Sequence, residues 1–322
     1  MIRGMKKNNG AHAFRGLAGL VVLLACSTWL PTAAAQLKIY GNTSTIELAP
    51  VLLAAQDLYG DTAAVRNGGI PALFDENAAD VATNAETQAL RQSVDHSDLR
   101  TILTVSEGWY RIVARRSSGV SQLADLRGKR ITTAPNTSSA YYLHKMLGTV
   151  GMTTADVAVV PITPLSGMSQ ALAKRDVDAV TIWEPEIENA AAAIGADAIE
   201  FQDRRVYREL FSLHTTAAKL EDPAKRREIV GFVRAVVRAS ERIRGQPEIV
   251  WPLVAQRTGF DAALIKKVWH HEGYPGTLVP DLLDVMVEEE PFVALERGRT
   301  PRTRAQLALL VDASVLREAL AE

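Results

Sequence analysis

Two groups of residues carry the chemistry that this sequence offers, a polar loop and a set of acids. Thr137, Ser138 and Ser139 follow Pro135-Asn136 and precede a run with helical spacing. They therefore fall at the first turn of a helix, where backbone N–H groups lack partners and the helix dipole is positive. The β-branched stretch from Ile131 to Ala134 reads as the short strand leading in. Strand, polar loop and helix start together make a site for a carboxylate, sulfonate or phosphate. The same residues also suffice simply to cap their own helix. Glu47, Glu86, Glu107 and Glu184 stand at inferred strand ends or helix starts. If two or more converge, the ligand carries a cation or several N–H donors; if each serves only its own helix, they say nothing about a ligand. A zwitterion or a mixed polar ring satisfies both the loop and the acids. Trp183-Glu184-Pro185 ends an inferred strand and opens a helix. An indole there can stack on a planar or apolar ligand or close a cleft, or it can be core.

Other chemistries find less support. Adjacent residues on a helix point about 100° apart, so His270-His271 with Glu272 does not readily share one metal ion and reads as a solvated helix end. His214 falls where the chain would return between lobes. Cys26 is the only cysteine and lies in the N-terminal leader, which excludes a thiol nucleophile or a cysteine metal site from the rest. G-x-S-x-G, H-E-x-x-H and Walker patterns are missing, and Asn67-Gly68-Gly69 lacks dinucleotide-fingerprint spacing. No set of groups takes catalytic roles, so the expectation is a protein that is not an enzyme and needs no metal or cofactor. A net charge of −1 offers no basic face for nucleic acid.

These residues need elements to position them. Leu37 to Tyr40 alternates and reads as a strand, and Ile46 to Leu58 has apolar residues at helical spacing. Thr62 to Arg66, Asp80 to Thr83, Leu99 to Val105 and Trp109 to Arg115 read as strands, with helices after Pro71 and after Glu86. A second set takes in strands at Ile131, Val157 to Ile162, Asp178 to Ile182 and Ala198, followed by the segment Glu209 to Thr216. Its helices cover Ser138 to Leu147, Ser166 to Ala173 and Glu184 to Ile194. Alternating strands and helices imply a mostly parallel sheet in each set, flanked by helices. Ligands in such sheets sit outside the carboxyl ends of the strands. Those ends carry Thr43-Ser44, Asn67-Gly68, Asn84, Glu107, Thr137-Ser138 and Trp183-Glu184. From Asp222 onward the pattern is nearly all helix, ending with one over Thr303 to Ala321.

The N-terminus reads as a secretory signal. Arg3, Lys6, Lys7 and Arg15 precede the apolar run Leu17 to Ala25, and Pro31 to Ala35 closes with an A-x-A pattern. Residues 1–35 are expected to be removed, leaving a soluble periplasmic chain from Gln36. Leu23-Leu24-Ala25-Cys26 resembles a lipoprotein box and offers the alternative of a lipidated Cys26. The completeness of the Pro31 to Ala35 segment favours simple cleavage.

The order of segments resembles the substrate-binding proteins of bacterial ABC importers, in the SsuA/THI5-like branch that includes nitrate, aliphatic sulfonate, taurine and thiamine-pyrimidine binders. The residues that carry it are Leu123-Ala-Asp-Leu-Arg-Gly-Lys-Arg130, Asn136-Thr-Ser-Ser139, Gln170-Ala-Leu to Asp178-Ala-Val, and Trp183-Glu-Pro185. The resemblance implies an α/β, two-lobed periplasmic binding protein (type II) fold with extra C-terminal helices. Lobe 1 would comprise 36–113 and 215–322, and lobe 2 114–214, with crossover strands at Arg111 to Arg115 and Leu210 to Thr216. It implies a monomer that binds a small organic or anionic ligand between the lobes, closes, and docks on an ABC permease. The ligand contacts would be Thr43, Ser44, Asn67, Gly68, Asn84, Glu107, Thr137, Ser138, Trp183 and Glu184. Glu47, Glu86 and Glu107 do not suit a simple inorganic anion, so nitrate and sulfonate fit less well than an organic molecule with donors. A ligand-sensing module for a membrane sensor and an enzyme on the same fold, as in pyrimidine synthesis, are the alternatives.

Overall fold

A computed structural model describes residues 36–321 apart from Asn77. The expected signal segment and Cys26 lie outside the described residues. Strands β1 (Ile39–Gly41), β2 (Val65–Asn67), β3 (Val81–Ala85) and β4 (Leu99–Gly108) build a first sheet. The chain then crosses to a second sheet made of β5 (Arg111–Arg115), β6 (Arg130–Thr132), β7 (Ala158–Val159), β8 (Ala179–Ile182) and β9 (Ala198–Phe201). It returns to the first sheet with β10 (Glu209–Thr216) and, late in the chain, β11 (Glu272–Gly273). The strand orders are β11-β4-β10-β3-β1-β2 and β7-β6-β8-β5-β9.

Both sheets are mixed rather than mostly parallel. β1 runs parallel to β2 and β3, and β6 parallel to β7 and β8. The strands next to each crossing are antiparallel: β10 to β3 and β4, and β5 to β8 and β9. A chain that leaves a sheet and comes back must re-enter against the strand it left. The crossings are Trp109-Tyr110 and 202–208. β5 therefore starts at Arg111 in the second sheet, and β10 starts at Glu209 in the first.

Each sheet is covered on both faces, because successive side chains of a strand point to opposite faces and here both sets are apolar. In β5, Ile112 and Ala114 enter one core with Tyr142, Leu143 and Leu147, while Val113 enters another with Leu172, Val180 and Ile187. In the first sheet Ile39 and Val81 face a core shared with Leu52, Phe232 and Val236, and Tyr40 and Ala82 face the opposite one with Leu90 and Met286. Helix Ala49–Tyr59 carries a proline in its first turn and stops at Gly60, whose φ of 73° a β-carbon would strain. Helix Pro223–Gly245 is capped by Asp222, whose carboxylate accepts from Ala224 N at 2.8 Å and Lys225 N at 3.2 Å.

Two expected elements are shorter. The strand over Val157 to Ile162 reduces to the edge pair Ala158–Val159, with Ala158 N and Val160 N donating to Lys129 O and Ile131 O, both at 2.8 Å. The expected last helix splits into Arg304–Ala308 and Ser314–Ala321. Between them the chain lies beside β4: Thr101 N donates to Leu310 O at 2.6 Å, and Asp312 N to Thr101 O at 3.0 Å. Among the described residues no helix is long and apolar enough to cross a membrane.

Candidate functional site

The strand ends of the two sheets face one another across a narrow cleft. From the first sheet come Glu47, in the tight turn Ile46–Leu48, Gly108 at the end of β4, and Glu209 at the start of β10. From the second come Ser138, at the start of helix Ser138–Gly148, and Trp183-Glu184, just after β8. One part of the cleft is lined by Asn84, Gln88, Thr137, Ser138, Trp183 and Glu209 among others, and encloses about 60 Å³. The other is walled by Trp109, Tyr110, Trp183 and Ile187 beside Glu47, Glu184 and Glu272. Gln88 Nε2 donates to Asn136 O at 2.6 Å across the mouth, and Lys267 pairs with Glu188 at 2.5 Å on the flank. The two sides thus already touch.

The cleft is acidic and buried. Glu47, Glu86, Glu184 and Glu209 are each 4% exposed or less. Burial pushes Glu47, Glu86 and Glu184 up to about 7, and Glu209 and Glu272 well above the ordinary carboxyl range. The Glu47 and Glu209 carboxyls lie within hydrogen-bonding reach of each other. Burial favours the neutral form of both, and the Glu47 charge pushes Glu209 further up. Thr45 Oγ1 donates to Glu47 Oε2 at 2.7 Å. Ser138 Oγ donates to Glu209 Oε1 at 2.7 Å and in turn accepts from Tyr110 Oη at 2.9 Å. Glu86 is fixed by Tyr207 Oη and by Leu210 N at 2.7 Å.

This geometry resolves the tension between polar loop and acids. At the helix start that could have met an external anion, Thr137 Oγ1 accepts from Ser139 N at 3.2 Å, and the Ser138 hydroxyl is spent on Glu209. The protein supplies its own carboxylate there. Glu184 is balanced differently: Arg111 Nε donates to its Oε1 at 2.9 Å, and the same guanidinium reaches Glu188 at 2.5 Å and Glu200 at 2.7 Å. Glu184 Oε2 is left without a donor among the described residues.

Asn84, Thr137, Ser138, Trp183 and Glu184 come together in this cleft. Thr43 and Asn67 instead tie two loops to each other, Thr43 N and Oγ1 donating to Asn67 Oδ1 at 3.2 and 3.1 Å on an exposed surface. Ser44 N donates to Asn42 Oδ1 at 3.1 Å, and Gly68 N to Gly41 O at 3.0 Å. Glu107 pairs with Arg208 at 3.0 Å. His214 is interior: Nε2–H donates to Asn84 O and Nδ1 accepts from Thr101, both at 3.1 Å, and burial brings it down to about 4. His271 is not solvated as expected. It is 8% exposed, bonded to Gln202 at 3.2 Å, and lowered to about 3, first by burial and then by Arg111. Among the described residues no three His, Cys, Asp or Glu side chains are grouped to hold a metal ion.

Glu209, Glu272, Gly108 and Tyr110 were not singled out from the sequence as ligand contacts. Glu209 carried one legible signal, its place directly before the crossover strand expected from Leu210.

Comparison with known proteins agrees with this architecture. A family model described as NMT1/THI5 like matches residues 63–249. The chain belongs to that family. A chain of Brucella abortus (strain 2308), assigned provisionally as a binding protein, is 38% identical to this NMT1/THI5-like chain over 77 residues. That match spans 24% of this chain and only 23% of the relative's own length. Among solved structures, the periplasmic aliphatic sulphonate binding protein SsuA from Escherichia coli superposes with a TM-score of 0.69 at 17% identity, covering 84% of this chain and 90% of that one. The alkanesulfonate-binding protein SsuA from Xanthomonas axonopodis pv. citri, bound to MOPS, gives 0.65 at 18% over 86% and 98%. The desulfurization enzyme DSZB gives 0.61 at 17% over 88% and 98%. At these identities they establish the periplasmic binding protein fold, and that fold hosts both binders and an enzyme.

Proposed function

We propose that this NMT1/THI5-like chain is an extracytoplasmic solute-binding protein. It captures a small organic ligand between its two sheets and hands it to an ABC permease. The observation that supports this reading is the cleft itself: polar, aromatic-walled, and built from the strand ends of both sheets, so that a ligand touching both sides favours the closed form. Trp183 lines both parts of it. The lobes divide at Trp109-Tyr110 and at 202–208, which act as hinges. The ligand carries N–H donors rather than being a bare inorganic anion, because Glu209 already occupies Ser138.

The test is a thermal-shift screen of the purified chain from Gln36, the compact unit described above. The panel holds sulfonates, nitrate, amino acids, polyamines, pyrimidines and aromatic acids. A ligand at about 100 times its Kd adds roughly 2.7 kcal/mol, a readily visible shift. A hit that also compacts the protein in small-angle X-ray scattering, and whose uptake is lost on deleting the gene, meets the expectation. A protein that no class shifts, or a hit with no effect on uptake, counts against capture for import.

A further inference from the structure

Gly108 ends β4 between two acids. Its register partners are Glu209 on β10 and Glu272 on β11, one on each side. A methyl group placed on Gly108 would stand 3.0 Å from Glu209 Oε2 and 3.7 Å from Glu272 Oε2. Both oxygens are buried and receive no hydrogen bond from the described residues. Glu209 is 3% exposed, and its other oxygen is anchored by Ser138, so the free oxygen is aimed over the glycine. The largest charges that bear on Glu272 are those of Glu209 and Glu184, and the largest that bears on Glu209 is that of Glu47. None of them is a cation. Buried carboxylates without a counter-charge are strongly unfavourable, and a row of them at a ligand cleft favours the entry of positive charge. Trp109 and Trp183 line the part of the cleft that Gly108 and Glu272 also line, a part that has no room for a water molecule until the two sides move apart, and an indole face attracts a cation. The nearby cation, Arg111, is already committed to Glu184, Glu188 and Glu200.

We infer that this is the subsite for a cationic nitrogen of the captured solute, an ammonium or amidinium group held between Glu209 and Glu272 with Gly108 as its floor. The inference rests on the capture reading and gives it a substrate class. Gly108 is the specificity-determining residue, since any side chain there fills the space between the two oxygens.

The experiment is calorimetric titration of the chain from Gln36 with four probes of similar shape: benzylamine and benzamidine as cations, benzyl alcohol as the neutral match, and benzenesulfonate as the anion. The expected result is that a cationic probe binds at least tenfold more tightly than benzyl alcohol. Glu272→Gln lowers that cation affinity ten- to a hundredfold and leaves benzyl alcohol unchanged. Gly108→Ala, checked for folding by circular dichroism, abolishes binding of the cations. Benzenesulfonate binding more tightly than either cation, or amine and alcohol binding alike, overturns the inference while capture stands. An imported solute without a cationic nitrogen, found in the thermal-shift screen, overturns it in the same way. If neither the screen nor the four probes yields any binding, the capture reading and the inference fall together.

Discussion

Replacing Glu47 by glutamine isolates the cost of the buried acids. Glu47 is 4% exposed, takes a hydrogen bond from Thr45 at 2.7 Å, and lies within hydrogen-bonding reach of Glu209. Glutamine can keep both contacts: its carbonyl accepts from Thr45, and its amide donates to Glu209 without needing a proton from solution. Burial lifts the Glu47 carboxyl from an ordinary 4.5 to about 7, which corresponds to about 3 kcal/mol of linkage. Between those pH values the native state binds a proton that the unfolded chain has released. The stability that Glu47 contributes is therefore complete below pH 4.5 and lost as pH rises through about 7. Glu47→Gln removes this loss. The variant should match the natural protein within about 1 kcal/mol at pH 4.5, and exceed it by up to about 3 kcal/mol at pH 8. Urea unfolding at the two pH values, with equal m-values as a control, measures the difference. An advantage of Glu47→Gln that is the same at both pH values would refute the claim that this carboxyl is held neutral by burial.

Arg111→Met leaves Glu184 and Glu188 without their buried partner, and should cost about 3–5 kcal/mol of unfolding free energy; a loss below about 1 kcal/mol by denaturant titration would show that the network is dispensable. Trp183→Ala removes a wall common to both parts of the cleft, and should weaken ligand binding at least tenfold in calorimetry while circular dichroism stays native; unchanged affinity in a folded variant would displace the site. Gln88→Ala removes the hydrogen bond to Asn136 O across the mouth. At about 0.5–1.5 kcal/mol, this should raise the ligand off-rate roughly two- to tenfold in stopped-flow fluorescence, and an unchanged off-rate would mean that this contact does not hold the cleft shut.

Local signals carried the secondary structure and part of the site. The strand-loop-helix at Thr137-Ser138, the strand end at Trp183-Glu184 and the strand end at Asn84 are written in short-range chemistry, and all three reach the cleft. Thr43, Asn67 and Glu107 also sit at strand ends, yet Thr43 and Asn67 bond each other and Glu107 bonds Arg208. Position at a strand end says which rim a residue occupies, not which way its side chain turns. The split of the last helix arises from pairing with β4, a neighbour far away along the chain, and nothing in the local sequence announces it.

What the sequence determined by itself is the alternation of strands and helices, the helix caps, and a family resemblance strong enough to imply two lobes. These depend on periodicity and on contacts within a few residues. Only the tertiary structure decided that Gly108, Glu209 and Glu272 are neighbours, because strand register joins residues that are far apart along the chain. It also decided that the Ser138 hydroxyl meets a carboxylate of the protein's own, and that the cleft acids hold protons near neutral pH. Burial sets that charge state, and burial belongs to the packed molecule rather than to any stretch of its sequence.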